Sequence, residues 1–131
     1  MQLLKIYYAY FSPGNTTEKV VSHIASSFQN YPVESINLTD YATRQEDYYF
    51  KENELLIIGV PAYGGRVPAP VVDALRHFTG SNTPVVLVAT YGNRDIDDTL
   101  IELKKNVIDK GFIPVGAASF VCQHTFLKEC A

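Results

Sequence analysis

Leu55-Leu56-Ile57-Ile58-Gly59-Val60-Pro61-Ala62-Tyr63-Gly64-Gly65-Arg66 is the stretch on which the fold turns. Its first half is apolar without alternation and stops at a proline. That is the pattern of a strand buried on both faces of a parallel sheet. A strand of an antiparallel sandwich would alternate apolar and polar residues instead. A strand covered on both sides needs helices above and below it and similar strands beside it.

Those neighbours can be found in both directions. Leu3–Tyr10 is apolar and aromatic-rich, broken only by Lys5, and reads as a strand. Asn15–Phe28 reads as a helix, with Val20, Val21, Ile24, Ala25 and Phe28 on one face. Asn15 and Glu18 have the spacing of a capping box at its start. Val33–Leu38 alternates and suits a strand nearer the sheet edge, while Thr39–Phe50, with aromatics among charges, is ambiguous and compatible with a short helix. Pro70–Phe78 reads as a helix with proline in its first turn and Gly80 past its end. Val85–Thr90 is a second buried strand. Asp95–Lys110 is a helix with Ile96, Leu100, Leu103 and Val107 inward and Gly111 closing it, and Ile113–Val121 is a fifth strand. Five strands alternating with helical segments predict one α/β domain over residues 1–131, built on a parallel sheet with helices on both faces.

The composition agrees. The 131 residues suit one domain, and 47 % of them are hydrophobic, enough for a sizeable core. A net charge of −3 with dispersed signs argues against a general nucleic-acid surface, and no apolar run reaches the ~20 residues that cross a bilayer. Cys122 and Cys130 form neither a disulfide framework nor a CxxC pair. With no signal-peptide layout after Met1, two free thiols place the expectation in the cytoplasm. His23, His77 and His124 are scattered and predict no metal site.

In parallel sheets of this kind, ligands sit beyond the carboxyl ends of the strands. The three loops there are the least ordinary segments of the chain. The first, Ser12-Pro13-Gly14-Asn15-Thr16-Thr17, joins a strand to a helix N-terminus, whose free N–H groups and dipole favour phosphate. It carries hydroxyls but no lysine. That suits a phosphate monoester held permanently and does not suit phosphoryl transfer. The second, Pro61-Ala62-Tyr63-Gly64-Gly65, pairs an aromatic face with glycines that let a planar group approach the backbone. The third, Thr90-Tyr91-Gly92-Asn93-Arg94, repeats that combination. One phosphate loop and two aromatic-glycine loops describe a flat heteroaromatic cofactor with a phosphate tail.

At these residues the sequence resembles the flavodoxin superfamily, above all the flavodoxin-like domain of bacterial and archaeal proteins that also carry a ferredoxin domain. The resemblance rests on Tyr10 through Thr17, Gly59 through Pro70, Ala89 through Asp98 and the Gln123-His124-Thr125-Phe126 ending. It implies a three-layer sandwich with strand order 2-1-3-4-5 and FMN as cofactor. It implies phosphate contacts from Ser12, Asn15, Thr16 and Thr17. Ring contacts would come from Ala62, Tyr63, Gly64 and Gly65 and from Thr90, Tyr91, Gly92 and Asn93, with Gly14, Pro61 and Arg94 also at the cofactor site. Two features depart from the pattern. Gly14 stands where the family usually has threonine, and Asn15 where one form has glycine. Asparagine tolerates left-handed backbone, so the turn survives the change. The family also carries a final helix after the fifth strand. The ten residues after Val121 predict that this helix is short or absent, which leaves one sheet face partly bare for a second copy of the chain.

The resemblance implies an electron-transfer protein that exchanges electrons with a ferredoxin or a reductase. The alternatives are a small FMN-dependent NAD(P)H or quinone reductase and a non-redox interaction domain. No residue stands out as a dedicated acid, base or nucleophile, and hydride transfer would need none, because the cofactor carries that chemistry. Near the flavin, Asp95, Asp97 and Asp98 would lower its potential, while Arg66 and Arg94 would oppose them or attract an anionic partner. A receiver domain would need acids where Ser12, Pro13 and Pro61 stand, and a low-molecular-weight tyrosine phosphatase would need a cysteine in the first loop.

Overall fold

The computed structural model of the protein describes residues 2–92 and 97–121. The first strand, β1 (Lys5–Tyr10), leads into helix α1 (Thr16–Ser26), then β2 (Val33–Asn37) and the short helix α2 (Tyr41–Arg44). After β3 (Tyr48–Tyr49) come the long strand β4 (Glu54–Pro61), helix α3 (Ala69–Leu75), β5 (Phe78–Thr79) and β6 (Thr83–Tyr91). Helix α4 (Asp97–Asp109) and β7 (Phe112–Val121) complete the described chain.

Five strands form one parallel sheet in the order β2-β1-β4-β6-β7. Counting these long strands alone, the order is 2-1-3-4-5, as expected. The continuous apolar run sits where full burial demands: β4 is the middle strand and is buried from Glu54 to Val60. The alternating stretch became the edge strand β2, in which only Ile36 is buried.

Among the described residues the two faces are packed unequally. One core joins Ala9, Leu56, Ile58, Val85 and Leu87 of the sheet to Val71 and Leu75 of α3 and to Leu103 and Val107 of α4. On the opposite face, Ile6, Tyr10, Ile57 and Val88 pack under Val21 and Ala25 of α1. Among the described residues, α1 is the only helix there, and it lies over β1, β4 and the near side of β6. Beyond it, Phe120 of β7 is 37 % exposed.

Two expectations need correction. Helix α3 ends at Leu75, not at Phe78, because Phe78 and Thr79 form β5 and pair in parallel with Tyr48 and Tyr49. The partner strand β3 lies in the ambiguous stretch Thr39–Phe50, and the short helix there is α2, capped by Asp40 through the Thr43 amide at 3.0 Å. Gly80 accordingly follows a strand and does not cap a helix. Gly111, with φ 94°, does close α4, and the two glycines pass so close that a Cβ on Gly80 would stand 2.7 Å from the Gly111 carbonyl oxygen.

Candidate cofactor cleft

The three loops converge at the carboxyl ends of β1, β4 and β6 around one cleft of about 250 Å³. Ser12, Gly14, Thr16 and Thr17 line it from the first loop, Pro61, Ala62 and Tyr63 from the second, and Thr90, Tyr91 and Gly92 from the third. Pro13 lines it too, a residue that sequence reasoning passed over. Asn15, Gly64 and Gly65 lie outside the lining. Asn93, Arg94, Asp95, Cys122, His124 and Cys130 fall outside the described residues.

The first loop is a wound turn held from within. The Ser12 amide donates to Thr39 Oγ1 at 2.7 Å, and the Ser12 carbonyl accepts from the Asn15 amide at 3.1 Å. Asn15 is left-handed, with φ 68° and ψ −4°, as its tolerance for that region allows. The expected capping box is absent, because a side chain reaches the first-turn amides from an extended N-cap and not from a left-handed one. Ser12 takes over that task, its Oγ accepting from the Glu18 amide at 2.9 Å. The amides of Gly14, Thr16 and Thr17 are left with no acceptor among the described residues and face the cleft end of α1. Together they form a positive helix terminus built from neutral groups.

The first loop is also locked to the third. The hydroxyls of Thr17 and Thr90, both buried, share a hydrogen bond of 2.7 Å. The third loop is tied to the second by the Ala62 amide, which donates to the Thr90 carbonyl at 2.8 Å. Beneath the first loop, burial pushes the Tyr10 phenol up to about 12, and the Glu18 carboxylate adds to the effect, so this hydroxyl stays protonated.

The second loop is a tight hairpin. Tyr63 and Arg66 exchange both backbone hydrogen bonds, at 2.9 and 3.0 Å, across Gly64 and Gly65. Both glycines have positive φ, 59° and 79°, which a type I′ turn requires at its two central positions. The glycines therefore serve the turn, and the turn presents Tyr63, half-exposed, at the rim of the cleft. Its ring meets Phe11 edge-on at 6.2 Å. Arg66 is no free cation: Glu102 on α4 holds it. That partner lies 36 residues away, and nothing in the spacing of the sequence announces it.

None of the described residues lining the cleft is charged. The first loop contributes unpartnered amides and the Thr16 hydroxyl to the lining, and the other two loops contribute Pro61, Ala62, Tyr63 and Tyr91. This donor set fits a phosphate ester of a flat ring, the class of ligand to which FMN belongs. Among the described residues no group of three histidines, cysteines or carboxylates could hold a metal, and no helix is long and apolar enough to cross a membrane.

No family model matches the sequence, and no curated protein does. Solved structures do. The two-electron reduced flavodoxin of Megasphaera elsdenii superposes with a TM-score of 0.67 at 20 % identity, over 95 % of this chain and 92 % of that one. A flavodoxin from the domain Archaea gives 0.66 at 15 % identity, over 97 % and 91 %. The general stress protein 14 of Treponema denticola, solved in complex with FMN, gives 0.63 at 10 % identity, over 96 % and 91 %.

Proposed function

On a fold that these superpositions show to be flavodoxin-like, we propose that the chain binds FMN in the three-loop cleft and works as a cytoplasmic electron-transfer protein. The observation that carries this reading is the cleft itself: unpartnered amides at the start of α1 beside two tyrosine-bearing loops, with no charged side chain among the described residues that line it. The amides of Gly14, Thr16 and Thr17 and the Thr16 hydroxyl would hold the phosphate. Tyr63 and Tyr91 would flank the ring, and the backbone around Ala62 and Gly92 would meet its polar edge. Stacking on such rings adds about 0.5–1.5 kcal/mol beyond the area buried. Bound FMN would supply reversible one- and two-electron chemistry. The Thr17–Thr90 bond holds two of the three loops in place before any ligand arrives, so little ordering remains to be done on binding. The exposed Tyr63 rim leaves the site open to a redox protein such as a ferredoxin or a reductase.

The test is the visible spectrum of protein mixed with FMN and then freed of excess, with riboflavin run in parallel. Retained FMN and weaker riboflavin are expected, since only FMN carries the group that the α1 terminus would hold. Rapid bleaching of bound flavin by NAD(P)H would move the reading to a reductase. A folded protein that retains no flavin would leave a non-redox interaction domain.

The expected short or absent final helix lies outside the described residues, and the sheet face on which α1 is the only helix among the described residues enters the same proposal. Phe120 of β7 stands across a groove of about 350 Å³ from Val20 and Ile24 of α1, and Gly116, on the same face of β7, is also exposed. We assign this strip to a second copy of the chain, in a two-fold contact. Sedimentation at micromolar concentrations should show a dimer, and Phe120→Asp should shift it to monomer. A wild-type protein that sediments as a monomer throughout would remove the assignment.

A further inference from the structure

We propose that Glu102, a residue of α4 outside the cleft, is a positioning residue that sets the second loop, and through it Tyr63, for the ring of the ligand. The inference rests on the FMN reading of the cleft.

Glu102 receives three donors from one loop. Arg66 Nε reaches Oε1 at 2.9 Å and Arg66 Nη2 reaches Oε2 at 3.2 Å. The Val67 amide donates to Oε1 at 3.0 Å. A two-pronged arginine–carboxylate pair fixes orientation as well as distance, and the amide adds a third point of attachment. The Arg66 backbone is in turn paired with that of Tyr63 across the Gly64–Gly65 turn. Movement of Arg66 is therefore passed to Tyr63 through two short backbone hydrogen bonds. Without Glu102, the described loop would be anchored at its base by the Ala62–Thr90 bond and at its far side by the buried Val67, with its tip held only by the edge contact of Tyr63 on Phe11.

An exposed ion pair adds little to global stability, and the Arg66 side chain is 66 % exposed. Three donors on one carboxylate are better explained by where they place the loop. Glu102 sits on α4, which comes after the third loop in the chain, and it grips the second loop.

Hydrogen bonding to Arg66 holds the Glu102 carboxyl below the ordinary carboxylate range, with the Val67 amide adding to the effect and burial opposing it. Arg66 is raised by the same pairing, to which the charge of Asp98 adds. Because the folded value of Glu102 is the lower one, the brace is complete above the ordinary carboxylate range. It is lost only as pH falls through the lowered value.

The experiment measures FMN and riboflavin dissociation constants and the visible circular dichroism of the bound flavin for wild type, Glu102→Gln, Glu102→Ala and Arg66→Ala. Glu102→Ala is expected to weaken both flavins by the same factor, roughly tenfold, and to change the dichroism of the bound ring. Its urea midpoint should stay close to that of wild type. Glu102→Gln, which can still accept from the Val67 amide, should fall between the two. Equal loss of both flavins marks the ring wall, since a defect in the phosphate loop would fall on FMN alone. Unchanged affinity and dichroism in Glu102→Ala would overturn the proposal while leaving FMN binding intact. A folded wild-type protein that binds neither flavin would overturn both.

Discussion

Gly59→Ala is expected to lower stability by about 1–3 kcal/mol and to weaken flavin binding along with it. Gly59 lies in β4 between Tyr10 of β1 and Val88 of β6, directly under α1. A methyl group there would overlap Val21 Cγ1 and stand 3.0 Å from Thr17 Cγ2. Val21 is fully buried and Thr17 nearly so, and Thr17 is bonded to Thr90, so neither can turn aside freely. The helix must lift or the strand must sink. Either movement reaches the cleft, because the Gly59 carbonyl accepts from the Phe11 amide at the head of the first loop, and α1 begins at the end of that loop. The natural control is Val21→Ala, which removes the methyl group that overlaps and leaves the tight Thr17 contact in place. In that background the cost of Gly59→Ala should shrink clearly, a coupling that urea unfolding of the four proteins would measure. A Gly59→Ala protein as stable as its parent would mean that α1 does not rest on β4 as closely as the side chains imply.

The glycine shows which parts of this molecule are legible in its sequence. The apolar run at Leu55–Val60 announces a buried strand, and the loops at its end and at the ends of its neighbours announce the place of the cleft, because their composition is unlike that of ordinary turns. The cleft lining follows those loops closely. Less legible is how each residue serves. Gly64 and Gly65, expected beside the ring, build the turn that presents Tyr63. The helix cap expected of Asn15 belongs to Ser12, because the turn that winds the first loop claims the Asn15 backbone for a left-handed conformation. The brace from Glu102 has no local signal, since its partner is distant in sequence and a glutamate on a helix surface is otherwise unremarked. Short strands are hidden for a different reason. Two residues carry no periodicity, so β3 and β5 could be found only by knowing that they meet.

That meeting supplies the second large effect. Phe78→Ala is expected to cost about 3–5 kcal/mol, a large fraction of the stability of a typical domain. Phe78 is 1 % exposed, and its ring lies 5.2 Å from that of Tyr48 and 5.4 Å from that of Phe50. Phe50 in turn meets Tyr7 and Phe112, at 5.0 and 5.4 Å. One ring thus joins β5 to β3 and, through Phe50, to β1 and β7. Truncation would leave a cavity that the two-residue strands, each held by few backbone bonds, are too short to close. Phe78→Leu keeps most of the volume and should cost about 1–2 kcal/mol, which keeps a folded protein available for comparison. The cluster lies toward the starts of the long strands, where Phe112 opens β7, whereas the cleft lies at their carboxyl ends. Phe78→Leu should therefore lower the urea midpoint with an unchanged FMN dissociation constant, and Gly59→Ala should change both. If Phe78→Leu weakened FMN as much as it weakened the fold, the two ends of the sheet would be acting as one cooperative unit. The separation of stability at one end from binding at the other would then be lost.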